Sequence, residues 1–154
     1  MKPMAGGQYP ELLIQQVEDP KSREQFIALL AEAGLPFSDL DQPDQHLLLF
    51  HSEGKVVGTG GFELHGEYSL IRSVSVVPEA RTSGVGRTIV MKLKALAKDS
   101  GATGHYLLTT SAKDFFLRQG FQQLERDQVP EAIRRSSEFS SVCPSSAILM
   151  YCPA

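Results

Sequence analysis

Residues 81–87, Arg-Thr-Ser-Gly-Val-Gly-Arg, place two glycines between two arginines. An apolar stretch ending at Val77 comes before them and apolar side chains at helical spacing follow, so we expect a turn from a strand into a helix. Such a turn directs unpaired backbone N–H groups and the positive end of the helix dipole at one point, where anions bind. Glycine at 84 and 86 removes Cβ atoms that would keep a phosphate from the backbone. The pattern predicts a phosphate site, although a tight turn without a ligand would use the same glycines.

Two familiar phosphate-binding loops do not fit this segment. A Walker A loop requires Gly-x4-Gly-Lys-Ser/Thr, and no such string occurs in the chain. A dinucleotide-binding fingerprint requires a third Gly or Ala at position 89, which is Ile89. The segment therefore belongs to neither class of nucleotide-binding protein.

Composition limits the kinds of protein that could carry this loop. At 154 residues, 42% of them hydrophobic, the chain has the size of a single domain spanning residues 1–154. Its net charge of −3 provides no general basic surface for nucleic acid or an anionic membrane. No apolar run reaches the ~18 residues of a membrane span and the first residues lack a signal-peptide core, so we expect a cytoplasmic protein. The cysteines and histidines lack metal-site spacing, so no metal is expected.

The order of apolar patterns predicts a mixed sheet with helices packed on it. Asp19-Pro20 offers an N-cap with proline at the first helical position, and Ser111 offers a cap for a later helix. Three apolar runs separated by glycine-containing turns predict an antiparallel meander, and the residues after Gly84 carry apolar side chains on one helical face. Strands are predicted at 12–17, 46–51, 55–65, 67–77, 106–109, 121–124 and 147–151.

Two motifs in this order resemble the GNAT acetyltransferases. Residues 81–86 fit the Arg/Gln-x-x-Gly-x-Gly/Ala signature of that superfamily, and residues 115–121, Phe-Phe-Leu-Arg-Gln-Gly-Phe, resemble its second motif. The order of elements agrees over essentially the whole chain, which is therefore identified as a member of the superfamily. The resemblance implies an α/β fold, the GNAT or acyl-CoA N-acyltransferase fold, with a mixed, mostly antiparallel sheet flanked by helices.

A narrower resemblance is to the arsenic-resistance N-acetyltransferases, a bacterial branch of GNAT. It is carried by residues 70–74, by residues 107–110 leading to Phe115-Phe116, and by residues 138–147, Glu-Phe-Ser-Ser-Val-Cys-Pro-Ser-Ser-Ala. This resemblance implies transfer of acetyl from acetyl-CoA to the amine of a small molecule, an arsenical or an amino-acid-like toxin.

The superfamily resemblance also implies where acetyl-CoA binds. Backbone amides of residues 81–87 hold the pyrophosphate, and the preceding strand pairs with the pantetheine arm. Many members have glycine directly after the arginine, whereas this chain has Thr82 and Ser83, whose hydroxyls can still donate to phosphate. The residues implied to bind the cofactor are Val74, Val76, Arg81, Thr82, Ser83, Gly84, Val85, Gly86, Arg87 and Phe116.

Acetyl transfer to an amine needs a proton acceptor, because a lysine-like amine has a pKa of ~10.4 and arrives charged. Glu63 is the first candidate for this base, since it lies on the strand next to the cofactor strand with its two neighbours on the opposite face. A solvated strand carboxylate is the alternative. His65, on the same face, is a weaker candidate.

The leaving thiolate raises the opposite question. The usual general acid of the superfamily is a tyrosine aligned with Phe116, which cannot donate a proton. Either Ser111 or Tyr106 supplies the proton, or the thiolate leaves unaided, which a thiol pKa of ~8.5 permits.

Arg72 and the segment 138–146 are candidates for the acceptor site. A charge inside an apolar strand requires a partner or a ligand, so Arg72 pairs with Glu63 or binds a substrate oxyanion. The polar segment either lines the acceptor pocket or is a loop whose hydroxyls bond to their own backbone. The predicted substrate-binding residues are Arg72, Ser73, Ser140, Ser141 and Cys143.

Two further functions stay open at this stage. Without a tyrosine at 116 the chain could be an acyl-CoA-binding sensor that catalyses nothing, and an open groove with acidic walls would indicate a protein or peptide N-acetyltransferase. The expected partners are acetyl-CoA and a small amine, with no nucleic acid and no membrane. Dimers are common in the superfamily, so a homodimer is also an expectation.

Overall fold

The computed structural model describes residues 11–154, apart from the side chains of residues 141 and 142. Within these residues one mixed sheet has the strand order β1-β2-β3-β4-β5-β7-β6, and every neighbouring pair is antiparallel except β4 and β5. The predicted order of elements and the mixed, mostly antiparallel sheet are confirmed. The elements are β1 (Leu13–Gln16), α1 (Pro20–Glu32), β2 (Gln45–Ser52), β3 (Lys55–His65), β4 (Tyr68–Val76), α2 (Val85–Asp99), β5 (Gly104–Thr109), α3 (Lys113–Arg118), β6 (Gln122–Leu124), α4 (Glu131–Arg134) and β7 (Ile148–Pro153).

The start of α1 follows from its local sequence. The Asp19 side chain accepts a hydrogen bond from the Ser22 backbone N–H at 2.7 Å, the Ser22 hydroxyl lies 3.4 Å from the Asp19 N–H, and Pro20 occupies the first turn. This reciprocal pair is a capping box, which satisfies two backbone donors at the helix end. The predicted cap at Asp19 is confirmed.

The alternation of β2 distributes its apolar side chains between two cores. Leu47 and Leu49 pack against α1, whereas Leu48 and Phe50 belong to the core beneath α2. Successive side chains of a strand point to opposite faces, so one apolar run serves both sides of the sheet. The sheet is therefore covered on both faces along this strand.

Two glycines of β3 allow α2 to lie close to the sheet. A Cβ built on Gly58 would stand 2.6 Å from Ile89 Cδ1 and from the Ser75 carbonyl oxygen, and one on Gly60 would stand 2.8 Å from Leu93 Cδ1. No side chain fits at those distances, so glycine is required where α2 crosses β3. This close packing fixes the start of α2, and with it the glycine loop.

The parallel strands β4 and β5 pair only at their beginnings. Tyr68–Leu70 lie opposite Gly104–Tyr106, and beyond Leu70 no register pair joins the two strands within the described chain. On its other side β4 carries one extra residue relative to β3, because Thr59 pairs with Ser75 while Gly61 pairs with Arg72. Ser73 takes up this bulge at φ 60°, and the Thr59 hydroxyl donates to the Ser73 carbonyl at 2.7 Å. A bulge bends its strand, and here β4 diverges from β5.

No helix within residues 11–154 is long and apolar enough to cross a membrane.

Because α2 positions the loop, its buried face should dominate stability. Leu93→Ala removes a side chain with no exposed surface, and we expect it to lower the free energy of unfolding by about 2–5 kcal/mol. Met91→Ala, on the same helix and 46% exposed, is the control and should change it by no more than about 0.5 kcal/mol. Urea denaturation followed by circular dichroism measures both, and similar small losses would contradict this packing role.

Candidate functional site

A cavity of about 1340 Å³ lies where β4 and β5 diverge. Its walls come from Ile71–Val76 of β4, Leu107–Thr109 of β5, the glycine loop, α3, the segment after α1 and the segment after α4. The divergence of the two strands thus opens a single space that reaches from the start of α2 to the opposite face of the sheet.

The glycine loop forms one end of this cavity. Thr82 and Gly84 both have positive φ, at 69° and 84°, so the backbone turns sharply at alternate residues. Gly84 is the N-cap of α2, and neither a capping side chain nor an acidic residue occupies the first turn. Arg81 Nε donates to the Val76 carbonyl at 3.1 Å, which ties the loop to the end of β4. Backbone donors of a helix start and two arginines therefore meet at one end of the cavity, as anion binding requires.

Gly86 lies directly against α3. A Cβ at this position would stand 3.2 Å from the Phe115 ring and 3.5 Å from Val76. The neighbouring Phe116 is 7% exposed, lines the cavity and packs edge-on against Phe121 with ring centroids 5.8 Å apart. Phe116 is thus both core and cavity wall.

Most of the residues predicted to bind the cofactor meet in this cavity. Ser83 and Val85 are not among its lining residues: the Ser83 hydroxyl donates to the Ala80 carbonyl, and Val85 is buried in the core beneath α2. The predicted residues that do line it are Val74, Val76, Arg81, Thr82, Gly84, Gly86, Arg87 and Phe116.

A buried charge cluster centred on Arg72 forms the other end. Its Nη1 donates to Asp39 Oδ2 and Glu63 Oε2, both at 2.7 Å, and its Nη2 donates to Asp39 Oδ1 at 2.6 Å. The Arg72 side chain has no exposed surface although the residue borders the cavity, so its backbone is the part exposed there. Burial opposes ionisation, but the hydrogen bond to Asp39 and the surrounding carboxylates raise the pKa of Arg72 above its usual range. The pairing with Glu63, one of the two predicted alternatives, is present, and Asp39 is a partner that the sequence did not reveal.

Glu63 is fully enclosed by donors. It is 1% exposed, its Oε2 accepts from Gln45 and Arg72, and its Oε1 lies 2.7 Å from His65 Nε2. Burial raises its pKa, but hydrogen bonds from His65 and Gln45 and the charge of Arg72 outweigh that effect and lower it. The alternative of a solvated carboxylate is therefore wrong. Glu63 is also not among the described residues that line the cavity, so its role as the base stays a prediction.

Glu138 is a carboxyl group at the cavity that the sequence did not single out as a site residue. It is 4% exposed, lines the cavity, and places Oε1 3.8 Å from Arg72 Nε. Its buried Oε2 has no hydrogen-bond partner among the described residues. Burial is the main cause that raises its pKa to about 8; Glu63 and Asp39 add to the rise, and Arg72 opposes it. One signal was available, because Glu138 carries the only charge in residues 136–146.

Cys143 lies beside this carboxyl group. Its backbone N–H donates to the Glu138 carbonyl oxygen at 2.9 Å, the residue lines the cavity, and it is a free cysteine. Burial and then the charge of Glu138 raise the pKa of its thiol to about 12. The group present at neutral pH is therefore the neutral thiol.

The predicted serines occupy different positions. Ser73 and the exposed Ser111 line the cavity. Ser140 does not, since its hydroxyl donates to the Ser136 carbonyl at 2.8 Å within a short helical turn. The side chain of Ser141 lies outside the described residues. Tyr106, the other predicted proton donor, packs against Tyr68 and Tyr151 and is not a lining residue of the described chain.

The cavity can thus hold an anion at one end and a cation at the other. Within residues 11–154 no cluster of three or more His, Cys, Asp or Glu side chains is arranged to hold a metal ion. The chemistry available to the protein itself is hydrogen bonding at the loop and proton transfer at the charge cluster.

The sequence of this chain matches a known protein family. The family model described as Acetyltransferase (GNAT) domain matches residues 43–123. An uncharacterised N-acetyltransferase of Chlorobaculum tepidum is 31% identical over 84 residues, which are 54% of each chain. The amino-acid acetyltransferase of Mycobacterium tuberculosis is 31% identical over 123 residues, which cover 79% of this chain and 63% of that protein. The chain thus spans little more than half of these relatives.

Solved structures share the fold at low identity. N-acetylglutamate synthase from Neisseria gonorrhoeae, complexed with coenzyme A and N-acetyl-glutamate, superposes with a TM-score of 0.75 at 18% identity over 93% of this chain and 35% of that one. A GNAT-family acetyltransferase from Staphylococcus aureus Mu50 gives 0.72 at 18% identity over 93% and 99%. The family match covers more than half of the sequence and the predicted fold is confirmed, so the chain belongs to the GNAT acetyltransferases, a family of acetyl-CoA-dependent acyltransferases.

Proposed function

We propose that this protein is an N-acetyltransferase that moves an acetyl group from acetyl-CoA to the amine of a small molecule. The observation that carries the proposal is the single cavity that joins the glycine loop at the start of α2 to Glu138, the carboxyl group of the charge cluster that lines it. Family membership and coenzyme A in related folds support it.

The residues of the loop end fit coenzyme A. Backbone N–H groups of residues 81–87 would hold its pyrophosphate, with Arg81 and Arg87 adding charge. The edge of β4 left unpaired by β5 would bond to the pantetheine arm near Val74 and Val76. Bound there, acetyl-CoA supplies an activated acyl carbonyl between the loop and the charge cluster.

The remaining chemistry would be carried out by side chains of the protein. A proton leaves the acceptor, a C–N bond forms as the C–S bond breaks, and the thiolate gains a proton. Ser111, which lines the cavity, is the proposed donor to the thiolate, and Glu63 is the base proposed from the sequence. Because both oxygens of Glu63 are bonded to partners and the residue does not line the cavity, that base would act only through a proton relay such as His65.

Two kinds of acceptor molecule are proposed. An amino-acid-like molecule is supported by the amino-acid acetyltransferase relative, and an arsenical only by the short stretches shared with the arsenic-resistance branch. Acetyl-CoA with ethylamine, L-glutamate, spermidine and a lysine-containing peptide, assayed by release of the coenzyme A thiol, tests this. Turnover of the peptide alone would indicate a protein or peptide acetyltransferase.

A non-catalytic acyl-CoA sensor is the second candidate, favoured by Phe116 and by the enclosed position of Glu63. Tight coenzyme A binding without turnover of any amine would support it over the enzyme.

Gly86→Val should weaken coenzyme A binding at least tenfold, because the added side chain would enter the narrow contact between the loop and Phe115. Ala95→Val, at an exposed position of the same helix, is the matched control and should leave affinity unchanged. Calorimetric titration measures both affinities, with circular dichroism to confirm folding. Undiminished affinity of a folded Gly86→Val protein would contradict the proposed cofactor site.

Arg72→Ala should lower the free energy of unfolding by about 3–5 kcal/mol, since it leaves Asp39 and Glu63 buried without a counter-ion. Arg134→Ala, which removes an arginine whose side chain is 50% exposed, should cost less than about 1 kcal/mol. Urea denaturation compares them. A fully stable Arg72→Ala protein whose only defect is a raised acceptor KM would instead show direct binding of the substrate by Arg72.

A further inference from the structure

We infer that Glu138 binds the ammonium group of the acceptor and takes the proton that the amine must lose. This inference rests on the proposed function and adds to it the identity of the proton acceptor and the charge of the recognised group. Glu138 lies in the segment after α4, outside the elements in which the sequence predicted a base.

One carboxyl oxygen of Glu138 lacks a hydrogen-bond donor among the described residues. Its Oε2 is buried and has no hydrogen-bond partner in the described chain, although the residue borders the cavity. Buried carboxyl oxygens without a donor are costly, and native proteins keep few of them. A donor that arrives with a ligand would satisfy this atom.

The charges around Glu138 favour a cationic ligand. Three carboxyl groups, Asp39, Glu63 and Glu138, surround the single guanidinium of Arg72. Four of the five Arg72 N–H groups already donate, to Asp39, Glu63 and Ser73. The charges of Asp39 and Glu63 exceed that of Arg72 even while Glu138 is protonated, so an incoming carboxylate would be repelled, whereas an ammonium group brings both donors and positive charge. The cluster therefore selects a cation.

Glu138 differs from Glu63 and Asp39 in the hydrogen bonds that its carboxyl oxygens accept. Both oxygens of Glu63 have donors, and Asp39 accepts two hydrogen bonds from Arg72. Cys143, beside Glu138 on the cavity wall, is present as the neutral thiol. Within the cluster, Glu138 alone combines a free oxygen with a position on the cavity wall.

The acetyl transfer conserves atoms, protons and electron pairs. The Glu138 carboxylate accepts one proton from the ammonium, which becomes a neutral amine with a free electron pair. That pair forms the C–N bond to the acetyl carbon, and the electrons of the C–S bond leave with sulfur. The second N–H proton passes to the thiolate, and Glu138 releases its proton to solvent to restore the carboxylate. The products are the amide, the coenzyme A thiol and one proton.

The environment of Glu138 sets the pH at which it can accept. Arg72 on β4, Glu63 on β3, Asp39 in the segment after α1 and Cys143 in its own segment face it, and burial dominates to bring its pKa to about 8. The proton-accepting carboxylate therefore increases as pH rises, and kcat/KM for a charged amine should rise through this range. A base is most effective when its pKa lies near the working pH.

The test compares E138Q with E131Q, a control on α4 whose carboxylate is 69% exposed. With the panel amine that the wild type acetylates best, E138Q should lose kcat/KM by about 10²–10⁴-fold at neutral pH, and its kcat/KM should lose the inflection near pH 8 and rise only with deprotonation of the amine itself, while E131Q behaves as the wild type. Hydroxylamine is uncharged at neutral pH and needs no base, so with it E138Q should stay within tenfold of the wild type. Coenzyme A affinity should not change.

Three kinetic results would overturn the inference: E138Q activity within tenfold of the wild type on the charged amine, an equal loss with hydroxylamine, or loss of the inflection near pH 8 in E63Q instead of E138Q. A readout without turnover separates it from the proposed function. In ¹³C-glutamate-labelled protein loaded with coenzyme A, the carboxyl resonance absent from E138Q identifies Glu138, and ethylamine should lower its pKa. If no amine is acetylated but this shift occurs, only the proposed function fails; if ethylamine leaves the titration unchanged, the ammonium site is refuted.

Discussion

The proposed acceptor end of the cavity depends on the burial of one guanidinium. Arg72 joins β4 to β3 through Glu63 and to the segment after α1 through Asp39, and Glu138 of the segment after α4 lies 3.8 Å away. A buried ion pair persists only with near-ideal geometry, because desolvation of the charges is costly. Three separate stretches of chain are thus positioned relative to one planar group.

The proposed cofactor end of the cavity is shaped by backbone conformation and close packing. Its shape comes from backbone conformation at Thr82 and Gly84 and from the glycines of β3 that let α2 lie close to the sheet. Arg81 also ties the loop to the end of β4, and the first turn of α2 is free of acidic residues. One end of the cavity therefore depends on steric space and the other on electrostatics, so substitutions at one end can leave the other intact.

This difference explains what the sequence could predict. The N-cap at Asp19, the meander and the glycine loop are local patterns, and the structure contains each of them. The cap predicted at Ser111 is wrong, because α3 begins after Ala112 and the Thr109 hydroxyl accepts the Ala112 N–H instead. Asp39 lies 33 residues from Arg72 and in a different element, and no periodicity marks such a pairing. Strand alternation placed Glu63 and His65 on one face but gave no sign that other segments cover Glu63.

The divergence of β4 from β5 has a consequence for the protein without its cofactor. A sheet normally exposes unpaired backbone groups only along its two outer strands, whereas this one also has an open strand margin in its middle. Such margins are templates for pairing with any extended chain that reaches them. A pantetheine arm bound along β4 would close that margin much as an added strand would. Bound coenzyme A would then pair with the open edge of β4 in addition to taking part in the reaction. The fraction of protein molecules with a fully paired sheet would therefore depend on the concentration of coenzyme A.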